Sequence, residues 1–194
     1  MRTGRPRSLL VLLLALVMLG ATAGQRAHLP EDGLITEPGY RAAATYVASG
    51  QARADQLWLE TGTVPGTGTR WEHMARWALV DIHSFLSPNG TVAAGPGGPW
   101  RNFWPRDGSF AAVALSRSGH HTEAAQVLDR LARLEFDPER GFQARYRLDG
   151  SALTDRPRQS DDCGWVLWAI AEVGAEGAAG VPATADGLRV RCVR

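Results

Sequence analysis

The sequence predicts an all-α fold of stacked helical hairpins. Apolar residues recur at three- and four-residue spacings in several separated segments. No strands alternate with these helices, as a doubly wound sheet would require, and no glycine fingerprint marks a nucleotide site. The connecting loops are long and rich in Gly, Pro and Trp. At 194 residues the chain is enough for one domain or part of a larger one, and with 44% apolar residues it is too hydrophobic to be wholly disordered.

Residues 1–23 read as a cleavable export signal. Arg2, Arg5 and Arg7 precede an unbroken apolar run from Leu9 to Leu19, and Ala21-Thr22-Ala23 suits cleavage before Gly24. Eleven apolar residues fall short of the roughly 20 that span a bilayer, although a retained anchor is the competing reading. No stable membrane span is expected after cleavage, which makes the product secreted or held in the cell envelope. Removing the signal takes the formal charge from +1 to −2, and such a surface is a poor partner for nucleic acid. All 21 basic residues are Arg, so no lysine nucleophile, Schiff base or P-loop lysine exists. Cys163 and Cys192 can pair in an oxidising compartment, and a buried free thiol at Cys163 is equally compatible with the pattern.

Residues 24–39 are expected to be flexible, 40–173 to form the helical domain, and 174–194 to be a weakly structured Gly/Ala-rich tail. The first helix is predicted over 40–59. The clearest one runs from Trp71 to Leu86, with Thr69 and Glu72 spaced as a capping box and an apolar stripe of Met74, Trp77, Ala78, Ile82 and Phe85. Asp81 interrupts that stripe, and Ser87-Pro88-Asn89-Gly90 ends the helix. A helix over 110–118 stops at Gly119. The next is capped by Thr122 and faces the core with Ala125, Leu128, Leu131, Ala132 and Leu134. Residues 142–148 suit an extended segment, and Ser160 or Asp161 caps a last helix over 163–173.

Two loops concentrate the chemistry. The first, Trp100 to Gly108, brings an aromatic, a guanidinium and a carboxylate (Trp104, Arg106, Asp107) to the start of a helix. Pro105 keeps Trp104 out of helical geometry, and a carboxylate near the positive helix end is expected to stay ionised. Flat aromatic faces at Trp104 and Trp100, with the Arg fork, suit a sugar or polyol. A capped surface loop explains the same residues without a ligand. The second loop, Arg156 to Trp165, delivers Gln159, Asp161 and Asp162 to another helix start; the two Asp are sequence neighbours and cannot share a helix face. If the hairpins stack in parallel, both loops open at one end, and Asp107 and Asp161 line one pocket. His120-His121 lack further ligands at metal spacing, and Ser109, Ser151 and Ser160 lack a nucleophile context, so neither a metal, a cofactor nor a serine hydrolase is expected.

The stretch from Trp71 to about Ala171 resembles the bacterial glucoamylase-like enzymes of glycoside hydrolase family 15. The resemblance lies in GTVAAGPGGPWRNFWPRDGSFAAVAL, GHHTEAAQVLDRLA, FQARYRLDG and RPRQSDDCGWVLWAI, in that order. It implies an (α/α)6 toroid, here partial and incomplete with about five helices. It also implies inverting hydrolysis of α-glucosidic bonds from the non-reducing end. By that resemblance Arg106 and Asp107 would hold the terminal glucose, with Trp104 beside them and Gln159 and Asp161 on a second subsite loop. The chain departs from the family pattern at Arg158, Ser160 and Cys163, where Pro, Leu and an acid are more usual. Inverting hydrolysis needs two carboxyls about 6.5–9.5 Å apart. In the family these are glutamates further along the chain; Glu172 and Glu176 lack their context, and no catalytic residue is assigned. The expectation is thus a truncated enzyme carrying a glucose or α-glucoside grip, with self-association through exposed apolar faces. The competing readings are an exported sugar-binding protein without chemistry and a structural helical domain without ligand.

Overall fold

The computed structural model describes residues 35–36, 41–42, 50–95, 98–177 and 181–192. The export signal expected at 1–23 lies outside them, as does most of 24–39. Within that last stretch Ile35–Thr36 (β1) pairs antiparallel with Arg41–Ala42 (β2). The first helix therefore does not begin at Tyr40: α1 is Gly50–Glu60. No helix among the described residues is long and apolar enough to cross a membrane.

The domain is mostly helical, with three two-residue hairpins. After α1 come α2 (Glu72–Phe85), a 3-10 turn (Gly98–Trp100), α3 (Pro105–Arg117) and α4 (His121–Arg133). Two antiparallel hairpins follow: Phe136–Asp137 (β3) with Gly141–Phe142 (β4), and Arg145–Tyr146 (β5) with Ala152–Leu153 (β6). The chain ends in α5 (Asp162–Ala175) and α6 (Thr184–Cys192).

Helix α2 starts through a variant of the expected capping box. Glu72 Oε2 accepts the backbone N–H of Gly68 at 2.8 Å, and Thr69 Oγ1 accepts that of Trp71 at 3.2 Å. Its fully buried residues are Leu79 and Val80; of the predicted stripe, Trp77, Ile82 and Phe85 pack partly buried against the cores, while Met74 is half exposed. In α4 the stripe is rotated towards Ala124 and Val127, which join Leu128 and Leu131 at zero exposure. His120, not Thr122, holds the N-cap position, with no side-chain cap. Gly119 ends the preceding turn at φ +82°, the left-handed region where a side chain is strained.

Helices α3, α4 and α5 form the centre. Ala112 and Leu115 of α3 meet Val127, Leu128 and Leu131 of α4 and Val166, Ile170 and Val173 of α5 in one core. Arg117 of α3 pairs with Glu172 of α5. A smaller cluster, Leu59, Leu79 and Val80, holds α1 to α2, and Trp58 touches both cores.

The expected tail is instead part of this core. Ala185 and Leu188 of α6 are fully buried, and Thr184 Oγ1 donates to Asp129 Oδ1 of α4 at 2.7 Å. Cys163 and Cys192 are joined as a disulfide, with Cα atoms 5.4 Å apart, fixing α6 to the first turn of α5. Six helices are thus present among the described residues, one more than the sequence suggests.

Candidate functional site

The first loop is pinned before it reaches α3. Phe103 and Tyr146, both fully buried, exchange backbone hydrogen bonds of 2.8 Å in each direction, and Ala94 N–H donates to Asn102 O at 3.0 Å. Trp104 is extended (φ −105°, ψ 136°), as the following proline requires, and Pro105 occupies the first turn of the helix. Gly108 has no room for a side chain: a Cβ there would lie 2.4 Å from the Phe103 ring. Helix α3 consequently begins at Pro105, five residues earlier than periodicity suggests, and Arg106 and Asp107 project from its first turn.

The second loop meets the first at Arg106. Its Nη1 donates to Asp161 Oδ2 at 3.0 Å, across 55 residues of sequence. Asp161 stands at the N-cap position of α5 but makes no capping bond; the same Oδ2 accepts the indole N–H of Trp165 at 2.9 Å. These two donors, Trp165 first, hold its carboxyl below the ordinary aspartate value. Asp107 behaves oppositely. Burial pushes its pKa above the ordinary aspartate value, with the Arg106 charge opposing.

Asp162 is the residue whose environment the sequence does not reveal. It is 1% exposed, neither carboxyl oxygen has a hydrogen-bond partner, and desolvation, reinforced by Asp161 and Asp107, pushes its pKa up to about 7. The Arg106 charge, and more weakly its backbone N–H, oppose the shift. Adjacent aspartates thus face opposite environments, one bridged at the surface and one dry.

Trp104 is not an open platform. It is 5% exposed, with the Arg145 guanidinium 5.6 Å from its ring centroid. The accessible aromatic face belongs to Trp100, 61% exposed and 6.0 Å from Trp104. Arg145 was not singled out by sequence; it donates to Pro99 O at 3.2 Å and pairs with Asp155, tying the 3-10 turn to the β5–β6 hairpin. Its partners lie 46 and 10 residues away, outside any local pattern.

Gln159 lies in a different place. It lines a cleft of about 620 Å³ with Gln143 and Ser160 and with Arg140, Arg156 and Arg158; Trp104, Arg106, Asp107 and Asp161 are not part of that wall. The Gln159 Oε1 atom is buried without a partner. Of the five predicted site residues, then, Arg106 and Asp161 are bonded, Asp107 and Trp104 flank Arg106 in sequence, and Gln159 faces the cleft.

A further polar cluster joins α1, α2 and the start of α4. The Trp58 ring is stacked between His83 (centroids 4.0 Å apart) and His120 (3.8 Å), and its N–H donates to Glu123 at 3.0 Å. His83 Nδ1 lies 3.3 Å from Asp55 Oδ1. His120 is buried with Nε2 unpartnered, and desolvation lowers its pKa. No group of three His, Cys, Asp or Glu among the described residues is arranged to hold a metal.

No protein family model, no curated protein and no solved structure matches this chain.

Proposed function

We propose that this chain is the sugar-recognising part of a glucoamylase-like glycoside hydrolase, its helices belonging to an (α/α)6 toroid. In this reading Arg106, Asp107 and Asp161 hold the terminal glucose of an α-glucoside, with the exposed Trp100 beside it and the buried Trp104 packed near Trp100. The Arg106–Asp161 bond carries the proposal, because it joins the two loops that the resemblance assigns to glucose recognition. A half-exposed pair of this kind supplies both donors and acceptors to adjacent hydroxyls, which an isolated Arg or Asp does not.

The reading is one of binding and not of turnover. Inverting hydrolysis needs an acid and a base on opposite sides of the bond. Glu172 is engaged by Arg117, Glu176 sits at the exposed end of α5, and Asp162 is too buried to touch a substrate. Calorimetry with glucose and maltose tests the proposal, with hydrolysis of maltose and isomaltose measured alongside. Saturable binding near millimolar, weakened by Arg106→Ala and unaccompanied by turnover, is the expected result. Absence of binding would leave the structural reading, in which Arg106 and Asp161 merely satisfy each other.

Two further parts of the proposal have their own tests. Export with cleavage before Gly24 predicts a mature amino terminus of Gly24-Gln25, readable by sequencing the secreted product. Phe110, 46% exposed, packs against Trp165 and Trp168 at 4.9 and 5.1 Å, and we assign self-association to this apolar surface. A Phe110→Ser variant should then sediment as a smaller species than the parent; identical sedimentation would remove this part of the proposal.

A further inference from the structure

We propose that the arginine-lined cleft beside the two small hairpins binds an oxyanion, the phosphate or carboxylate group of a small polar molecule. The inference does not rest on the sugar reading, since the cleft wall includes neither Arg106 nor Asp161.

The cleft's walls come from three separate segments. Arg140 and Gln143 flank β4, Thr154 follows β6, and Arg156 to Ser160 form the approach to α5. Its volume of about 620 Å³ suits a small molecule and not a polymer groove. No acidic side chain lines it. The nearby carboxylate is Asp137, and it is already engaged: Arg140 donates to it at 2.9 Å, as do the backbone N–H groups of Glu139 (2.9 Å) and Arg140 (3.0 Å). Arg158 Nη2 stands 3.9 Å from the same carboxylate. Asp137 therefore balances Arg140 and Arg158, and the third cleft arginine, Arg156, has no part in that pairing. Asp155, the next candidate to balance them, bonds directly to Arg145.

Arg158 is held in place for a ligand. Its Nη1 donates to Gly141 O, its side chain is 16% exposed, and its guanidinium retains further N–H groups beyond those contacts. Arg156 lines the same cleft, is exposed, and makes no direct hydrogen bond or ion pair among the described residues. Two guanidinium forks, one fixed and one exposed at the cleft wall, match the planar geometry of phosphate and carboxylate oxygens. The hydroxyls of Thr154 and Ser160 add neutral donors.

The test is calorimetry on the full chain at fixed ionic strength in chloride, titrating inorganic phosphate, glucuronate and glucose separately. Saturable binding of phosphate or glucuronate near millimolar is expected, with the stronger of the two naming the ligand's acidic group. Arg156→Ala should weaken that binding by roughly fivefold or more without shifting thermal unfolding, because among the described residues Arg156 makes no hydrogen bond or close ion pair and its charge acts only on the exposed Asp155. Arg106→Ala should leave it unchanged, which separates this cleft from the sugar site. Failure of both oxyanions to saturate, or equal affinity in Arg156→Ala, would each overturn the proposal.

Discussion

Arg106 Nη1 and Asp161 Oδ2 lie 3.0 Å apart, joining the first turn of α3 to the N-cap of α5 across 55 residues. Both side chains remain more than a third exposed, so solvent screens the pair and its contribution to folding is small. Replacing Arg106 with Ala should lower stability by less than about 1 kcal/mol in urea titrations. A larger loss would mean that the pair is chiefly a structural tie.

Asp162 should make folding pH-dependent. Its folded pKa, about 7, lies above the ordinary 3.8, so the native state binds more protons than the unfolded chain between those values. The stability it allows is full below about pH 4 and is lost as pH rises to about 7. Asp162→Asn replaces the carboxyl with a neutral group that does not titrate and should flatten this part of the profile. Relative to the parent, the variant should gain on the order of 1–3 kcal/mol between pH 4 and pH 8. Parallel pH profiles for the two proteins would contradict the dry environment assigned to this carboxyl.

His120 acts with the opposite sign. Burial against Trp58 lowers its pKa below 6.5, so the neutral ring is the one that folds. Its stabilising effect is present above the unfolded value of about 6.5 and is lost as pH falls below it. His120→Gln should remove the stability loss between pH 6.5 and the lowered folded value; chemical denaturation at closely spaced pH values reads this directly. Retention of the full slope in that variant would assign it to other groups.

The Cys163–Cys192 disulfide closes a loop of 29 residues and fixes α6 against α5. Loops of that size contribute about 2–4 kcal/mol. Cys192→Ser should lose stability in that range while keeping most helicity by circular dichroism, because Leu188 and Ala185 still pack. Equal unfolding midpoints with and without reductant would show that the bond is not formed in solution.

Gly108 tests how tightly the first loop is built. A methyl group there meets the fully buried Phe103 ring, which is held by backbone bonds to Tyr146 and cannot swing aside freely. Gly108→Ala should destabilise by about 1–3 kcal/mol. Phe103→Leu in the same background should recover part of it, since the shorter side chain vacates the space; no recovery would place the strain elsewhere.

Helices with strong periodicity were legible in the sequence, but their limits and faces were set by contacts that local pattern does not carry. Trp-Pro-Arg-Asp-Gly reads as loop, yet Pro105 is well suited to a first helical turn, and α3 starts there. Helix α6 is hidden in a Gly/Ala-rich segment with little amphipathic pattern. It is specified by Leu188 in the core, Thr184 on Asp129 and the disulfide, all partners distant in sequence. For the site, the meeting of the two loops, seen in the Arg106–Asp161 bond, was foreshadowed by their similar placement before helices. The opposite environments of Asp161 and Asp162 were not, because a one-residue step around α5 takes the side chain from solvent to core. Gln159 was grouped with Asp161 through the family resemblance of their loop, while the fold places Gln159 in the wall of the arginine-lined cleft.

The most direct measurement of sugar recognition follows the indole N–H of Trp165, which reports on Asp161 through their 2.9 Å hydrogen bond. In a nitrogen–proton correlation spectrum of the labelled protein, titration with glucose should move this resonance saturably, and Arg106→Ala should abolish the movement. A Trp165 resonance that stays fixed while glucose reaches tens of times its proposed millimolar affinity would contradict the assignment of this site to a sugar.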